Sequence, residues 1–400
     1  MDLRSHNPFW LLNSGIIATY PSLRADKKTE VVIMGAGITG ALVAWHLCKK
    51  GFRVIIVDKR HVGMGSTAAS TALLQYEIDT PMSELALKIG EQKAARSYAL
   101  CIKTIHDLDR ICHGFQTDVD FRLKESFQYA SSIADARELE KEFALRKKHG
   151  IDIQWLTSEE VKKKFGFHAP AGVLSREGAQ VDAYKLTHAL LAQAMKWGLV
   201  IYDSTEVVSI GHHRKKVILS TNDGFKITAG HLVIACGYES QKYIPQKIEK
   251  FNSTYAIVSE PLANKNLWYH NCLIWETATP YLYLRTTSDN RILIGGKDDP
   301  ISDPKRRDEN LARKVKTLEK AFARLFPQHT FKTDFQWAGT FASTKDGLPY
   351  IGSVPSRANT SFALGFGGNG ITFSVLAAQL ILDKLLGKVN KDAALFAFNR

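Results

Sequence analysis

The stretch Val31-Val32-Ile33-Met34-Gly35-Ala36-Gly37-Ile38-Thr39-Gly40 constrains the fold more than any other part of the chain. Four apolar residues running into a glycine mark a buried parallel strand. Ile38 to Lys50 follows with apolar residues at Ile38, Ala41, Leu42, Trp45 and Cys48, which is helical spacing. Val54 to Val57 is a second apolar strand, closed by Asp58. Strand, helix and strand within about 30 residues make a βαβ unit with parallel strands and a right-handed crossover. The glycines have separate tasks. Gly35 makes the tight turn, Gly37 lets backbone approach a pyrophosphate, and Gly40 lets the helix pack on the strand. The helix N-terminus at Ile38 and Thr39 offers free N–H groups and a positive dipole end to that pyrophosphate. Asp58 lies 18 residues after Gly40, where a carboxylate accepts hydrogen bonds from ribose hydroxyls, and Lys59 follows it. The unit binds a dinucleotide.

A chain of 400 residues exceeds one simple core and implies two domains. Its 45% hydrophobic and 23% charged content is that of a globular protein with a buried core. The five cysteines stand singly, with no CxxC pair, which excludes a disulfide scaffold or a zinc site and points to a reducing, cytoplasmic setting with no metal. No run of about 18 apolar residues occurs, so no transmembrane segment is expected. The first 29 residues lack the features of a signal peptide and read as an N-terminal extension. The net charge of +13 is spread along the chain, with short clusters only at Lys162–Lys164 and Lys305–Arg307. Nucleic acid is therefore disfavoured as a partner; an acidic substrate or peripheral contact with an anionic membrane surface stays open.

Further along, Ser83 to Arg110 reads as a helix, Asp118 to Ser131 as a strand or hairpin, and Ala134 to His149 as a charged helix. Thr157-Ser158-Glu159-Glu160 is a capping sequence for a helix through Lys164. Ala183 to Trp197 is an amphipathic helix, and Leu199 to Ile210 and Lys216 to Ser220 read as strands. Leu232 to Ala235 is a third buried strand ending near Gly237. Short strands at Tyr255–Ser259, Cys272–Trp275, Tyr281–Arg285 and Arg291–Ile294 suit an antiparallel sheet in a second domain. Leu311 to Leu325 and Ile371 to Leu386 close the list of helices.

The dinucleotide is NAD or FAD. One fingerprint is present, near the start, and its sheet returns at Val233 and again near Phe362, whereas an NAD dehydrogenase keeps that sheet in one block. Here the sequence resembles the D-amino-acid oxidase, glycine oxidase and sarcosine oxidase family of FAD enzymes, from about Glu30 to Leu386. The patches are VVIMGAGITGALVAWHLCKKGFRVIIVDK, GMGSTAASTALLQYEID (Gly63–Asp79), LVIACG (Leu232–Gly237), WAGTFASTKDGLPYIG (Trp337–Gly352) and FALGFGGNGITFS (Phe362–Ser374). The branch that includes gamma-glutamylputrescine oxidase is similar in flavour.

The resemblance implies an α/β, two-domain fold: a discontinuous Rossmann-like FAD domain at 30–85, 178–245 and 335–400, and an antiparallel-sheet substrate domain at 86–177 and 246–334. It implies hydride transfer from an amine or N-substituted amino acid to flavin, with O2 or a quinone as acceptor. Gly35, Gly37 and Gly40 would hold the pyrophosphate and Asp58 the ribose. Ser66 and Thr67 would take a phosphate oxygen, and Gly368, Asn369, Gly370 and Ile371 would present N–H groups to the flavin. Val207, Ala235, Gly237 and Gly339 complete the cofactor set. No histidine or cysteine stands in Ser66–Ala69 or Trp337–Asp346, so the FAD is expected to be noncovalent.

One departure matters. Where the family's amino-acid oxidases carry a carboxylate-gripping arginine before the TKDG segment, this chain has Phe341. Alternation along Tyr281-Leu282-Tyr283-Leu284-Arg285 puts Tyr281, Tyr283 and Arg285 on one face, so Arg285 is the candidate replacement, unless it is a solvent-facing residue at a strand end. Lys345 beside the flavin-edge motif is a candidate for oxygen reduction, or a solvated turn lysine. Two alternatives stand beside amine oxidation: an FAD enzyme of the tRNA-modifying kind, suggested by the basic charge, and a catalytically idle flavin-binding protein, suggested by Phe341.

Overall fold

Val31 to Met34 is apolar at every position because the strand that contains it is covered on both faces. That strand, Lys27–Met34, is flanked in parallel by Lys226–Ile234 on one side and Val54–Val57 on the other. The computed structural model describes every residue except His6 and Lys265. The first sheet runs Tyr350–Gly352, Thr360–Leu364, Lys226–Ile234, Lys27–Met34, Val54–Val57, Val200–Tyr202, with a hairpin of Val207–His212 and Val217–Thr221 on Lys226–Ile234. Its central strands are parallel and Tyr350–Gly352 is antiparallel. The helix Ile38–Lys49 packs between the helices Ala183–Met195 and Gly370–Leu385. It is buried almost all round, which its apolar run ALVAW requires.

The second sheet has nine strands, in the order Thr333–Ser343, Lys250–Ser259, Ile292–Asp299, Leu282–Thr286, Leu273–Glu276, Arg122–Tyr129, Ala171–Gln180, Leu73–Gln75, with Ile153–Thr157 added to Ala171–Gln180. It is antiparallel except where Leu273–Glu276 meets Arg122–Tyr129. The helix Leu311–Leu325 covers one face, burying Val315, Leu318 and Phe322. Two sheets, one largely parallel and one largely antiparallel, are the α/β architecture expected. By pairing, Leu73–Gln75, Ala171–Gln180 and Thr333–Ser343 all lie in the second sheet, whereas the boundaries at 85, 178 and 335 divide the chain differently there.

Two expected elements are broken by backbone geometry. The helix from Ser83 splits at Gly90, whose φ of 92° ends Met82–Ile89 before Glu91–His113 begins. The strand from Leu199 divides into Val200–Tyr202 and Val207–His212, with Ser204 at a φ of 46° between them. Residues 1–29 are no loose extension. Phe9 and Trp10 are buried beside Phe335 and Trp337, and the strand Lys27–Met34 already starts within them. The Ser5 N–H donates to the Ala338 carbonyl at 2.9 Å and the Thr340 N–H to that of Leu3 at 2.9 Å, which lays the segment along the edge strand Thr333–Ser343. Among the described residues no helix is long and apolar enough to cross a membrane.

Candidate active site

In a sheet of parallel strands the loops at the carboxyl ends are free to carry function. Here those ends, at Met34, Val57 and Leu364, with Ala235 following Ile234, open onto one cavity of about 670 Å³. Its opposite wall is the second sheet, through Thr254, Tyr281, Tyr283, Asp298, Trp337 and Phe341. A volume in the range of about 300–1,000 Å³ is that of a ligand or cofactor site.

One end is shaped by the first glycine turn. Gly35 has a φ of 109°, and a Cβ there would run into the Ala235 carbonyl. A Cβ on Gly37 would lie 2.9 Å from Thr67 Oγ1, which accepts the Ile38 N–H at 3.0 Å. A Cβ on Gly40 would overlap the Gly35 carbonyl, so its task is turn-to-helix packing. The Asp58 carboxylate accepts the N–H groups of Ala36 at 2.7 Å and Arg60 at 2.8 Å. Burial pushes its carboxyl upward while these N–H groups pull it back. Lys59 and Arg60 each reach Glu239 at 2.8 Å. Against the upward push of burial, these cations hold the Glu239 carboxyl down to about 2.

The other end is built from the last glycine loop. Gly367–Asn369 forms a short turn into the helix Gly370–Leu385, whose N-terminus has no side-chain cap. Asn369 faces backward: its Nδ2 donates to the carbonyls of Gln75 at 3.0 Å and Glu77 at 2.8 Å. Asp79 accepts the Gly368 N–H at 2.8 Å, and burial raises its carboxyl. Behind this loop Arg146, itself buried, donates to Glu142 at 2.9 Å and stands 3.8 Å from Glu77. Burial lifts the Glu77 carboxyl to about 7, with Arg146 opposing. Tyr281 and Tyr283 lie with ring centroids 5.9 Å apart.

Of the residues singled out from sequence, Gly35, Gly37, Ile38, Thr39, Asp58, Lys59, Ser66, Thr67, Val207, Ala235, Gly237, Tyr283, Gly339, Gly368, Asn369, Gly370 and Ile371 all line this cavity. Three do not, and their readings are corrected: Gly40 packs the turn on its helix and does not reach the pyrophosphate end of the cavity, and the other two are Arg285 and Lys345. Arg285 is buried behind the wall: it donates to the carbonyls of Ala72 at 3.0 Å and Val181 at 3.1 Å, and its guanidinium stacks 5.0 Å from the Trp10 ring. Alternation gave its face correctly but not its depth, since the N-terminal segment and the edge Leu73–Gln75 cover that end of the strand. Lys345 is exposed and donates to the Arg400 carbonyl at 3.0 Å, off the cavity.

Tyr281 lines the site with Tyr283 as expected, and Asp79, Asp298, Glu77 and Tyr238 line it without having been singled out. The alternation of Gln75, Glu77 and Asp79 in QYEID is a signal for Glu77 and Asp79 alone. Burial raises the Asp298 carboxyl to about 6, and its Oδ1 has no hydrogen-bond partner. Beside Tyr238, burial pushes the Glu249 carboxyl up to about 8, against a weaker pull from the Gly365 N–H.

These residues suit a flavin dinucleotide. Ser66 Oγ is a buried hydroxyl without a partner, on the rim where a phosphate would lie. The Gly37 position leaves room for backbone alone, and an uncapped helix N-terminus stands at each end of the cavity.

The chain is 28% identical over 395 residues to glycine oxidase from Geobacillus kaustophilus, covering 93% of this chain and 97% of that protein. It is 22% identical over 391 residues to gamma-glutamylputrescine oxidoreductase from Escherichia coli, covering 96% of this chain and 89% of that one. The crystal structure of the Geobacillus kaustophilus glycine oxidase superposes with a TM-score of 0.75 at 25% identity, covering 94% of this chain and 99% of that one. The sequence model of the DAO family, FAD-dependent oxidoreductases, matches residues 30–384, and the chain belongs to that family.

Proposed function

We propose that this FAD-dependent oxidoreductase oxidises the C–N bond of an amine or N-substituted amino acid, with O2 or a quinone as final electron acceptor. The observation that carries the reading is the single cavity joining the Gly35–Gly40 turn to the Gly367–Gly370 loop, with an aromatic wall facing the second of them. Gly35, Gly37, Ile38, Thr39, Ser66 and Thr67 hold the pyrophosphate, Asp58 the ribose, and Gly368 to Ile371 the ring system.

When bound, FAD supplies the acceptor for a hydride leaving the substrate's α-carbon, while the amine nitrogen sheds a proton and a C=N bond forms. The chain's part is positioning and desolvation. Tyr281, Tyr283 and Phe341 shape an apolar slot for the substrate carbon chain. The helix N-terminus at Gly370 stabilises negative charge that develops near it. The five free cysteines accord with a cytoplasmic enzyme. Cys236 is the thiol that lines the cavity, and burial raises its pKa; its Sγ donates to the Met34 carbonyl at 3.2 Å, so noncovalent FAD is the arrangement we favour.

The test is anaerobic mixing of the purified holoprotein with a panel of amines, N-alkyl amino acids and α-amino acids. Bleaching of the visible flavin band by amines or N-alkyl amino acids is the expected result. A flavin that stays oxidised with every member of the panel overturns the reading.

A further inference from the structure

A protein of net charge +13 would be expected to present cations to its substrate, yet the ring end of this cavity does the opposite. Its wall carries the carboxylates of Glu77, Asp79, Glu142, Glu276 and Asp298, against the single cation Arg146 among the described residues. Arg146 is already engaged by Glu142, and Glu276 is paired with Lys297. Asp79 and Asp298 form no ion pair among the described residues. Asp79 gives one oxygen to the Gly368 N–H, and Asp298 is approached by the Thr254 hydroxyl while its Oδ1 has no partner. The Lys314 ammonium acts on Asp298 from a distance, and Asp299 holds it at 2.7 Å.

A carboxylate-bearing substrate therefore meets no free cation here. Phe341 offers this wall an apolar ring, Arg285 is sealed under backbone carbonyls, and Arg146 is taken. A second ammonium meets a favourable setting. Asp298 lies in the same wall as Tyr281 and Tyr283, whose ring faces attract cations, and Asp79 adds its field from beside the glycine loop. Opposite charge so placed selects partners more than it adds raw affinity.

We propose that the substrate carries a second cationic group, as a diamine or polyamine does, and that Asp298 is the carboxylate that recognises it. The proposal rests on the amine-oxidising reading of the same site. The amine to be oxidised sits at the glycine loop, and the remote ammonium pairs with Asp298 beneath the tyrosines. Preference among substrates of equal length then follows the charge at the far end.

Three compounds of one chain length separate the cases: putrescine with a second ammonium, butylamine with none, and gamma-aminobutyrate with a carboxylate. Binding of each to the FAD-loaded protein is measured by calorimetry without oxygen, and flavin reduction by rapid mixing, with spermidine as a longer dication. Putrescine or spermidine should bind at least about tenfold more tightly than butylamine, and gamma-aminobutyrate most weakly. Asp298→Asn should collapse the dication-to-monoamine ratio, and Asp298→Glu should keep most of it. Equal or tighter binding of gamma-aminobutyrate, or a ratio that survives Asp298→Asn, overturns the proposal. If dications bind preferentially but no amine of the wider panel bleaches the flavin, the charge preference stands and the oxidase reading falls.

Discussion

The Asp79 carboxylate accepts the Gly368 N–H at 2.8 Å, joining segments 289 residues apart in the chain. It is a charge-assisted bond to a loop that lines the cofactor cavity. A Cβ on Gly368 would lie 2.6 Å from the same carboxylate, so the two backbones are seated against each other. Asp79→Ala should remove about 1.5–3 kcal/mol from the ordering of this loop. The dissociation constant for FAD should rise by about tenfold or more, read by flavin fluorescence on titrating the apoprotein. Unchanged affinity would show that the loop is held by Asn369 alone.

The first glycine turn makes a split prediction. Gly37→Val places a side chain against Thr67, in the space reserved for a phosphate, and should give a folded but colourless protein. Gly40→Ala drives a methyl into the Gly35 carbonyl and should lower Tm or block folding. Circular dichroism and the ratio of visible to ultraviolet absorbance of the purified variants separate the two effects.

Arg285 is a structural cation. Burial brings its pKa down to about 10, and it stays charged while holding two carbonyls. Arg285→Met should cost about 1–3 kcal/mol by removing the donor to the Val181 carbonyl and leaving that of Ala72 with only a 3.4 Å bond from the Val181 N–H. Tm should fall, and the ranking of acidic against neutral amine substrates should not change. A selective rise in KM for acidic substrates would return Arg285 to the site.

Glu249 sets a pH dependence of stability. Its carboxyl stands at about 8 in the folded protein against 4.5 as the ordinary value, because burial disfavours the charge. The folded state thus binds the proton more tightly than the unfolded chain does. The stabilisation is complete below about 4.5 and is lost as pH rises toward 8, at about 1.4 kcal/mol per pH unit over that window. Glu249→Gln should lessen the fall of Tm across that window, leaving the part due to Glu77 and Asp298, and raise Tm at pH 8. A variant that parallels the parent at every pH would remove Glu249 as the source.

What the sequence made legible was local. Gly35, Gly37, Gly40 and Asp58 lie within one βαβ unit, so spacing alone places the turn, the close approach and the helix packing. The strand Ala171–Gln180 escaped notice because its SREG centre breaks alternation; Arg122–Tyr129 and Ile153–Thr157 hold it from either side. Asp298 and Glu249 could not be found because nothing beside them in the chain explains them; the cavity that isolates their charge is made by distant strands. Arg285 was misjudged for the related reason that a strand's periodicity says which side a residue faces, and not what Trp10 later lays over it.

The sheet that carries the dinucleotide has its central strand at residues 27–34 and a parallel member at 360–364, followed by the ring-end helix. During synthesis a ribosome-bound chain has made the pyrophosphate turn long before the loop at the opposite end exists, and at about 5–20 residues per second the gap lasts tens of seconds. Once Lys226–Ile234 has been made, Val233 and its strand present an unpaired edge until the neighbour Thr360–Leu364 follows. Cofactor capture is therefore a late event in the life of the nascent polypeptide, and truncation near the carboxyl end should yield chains that aggregate along that edge rather than weakly yellow protein.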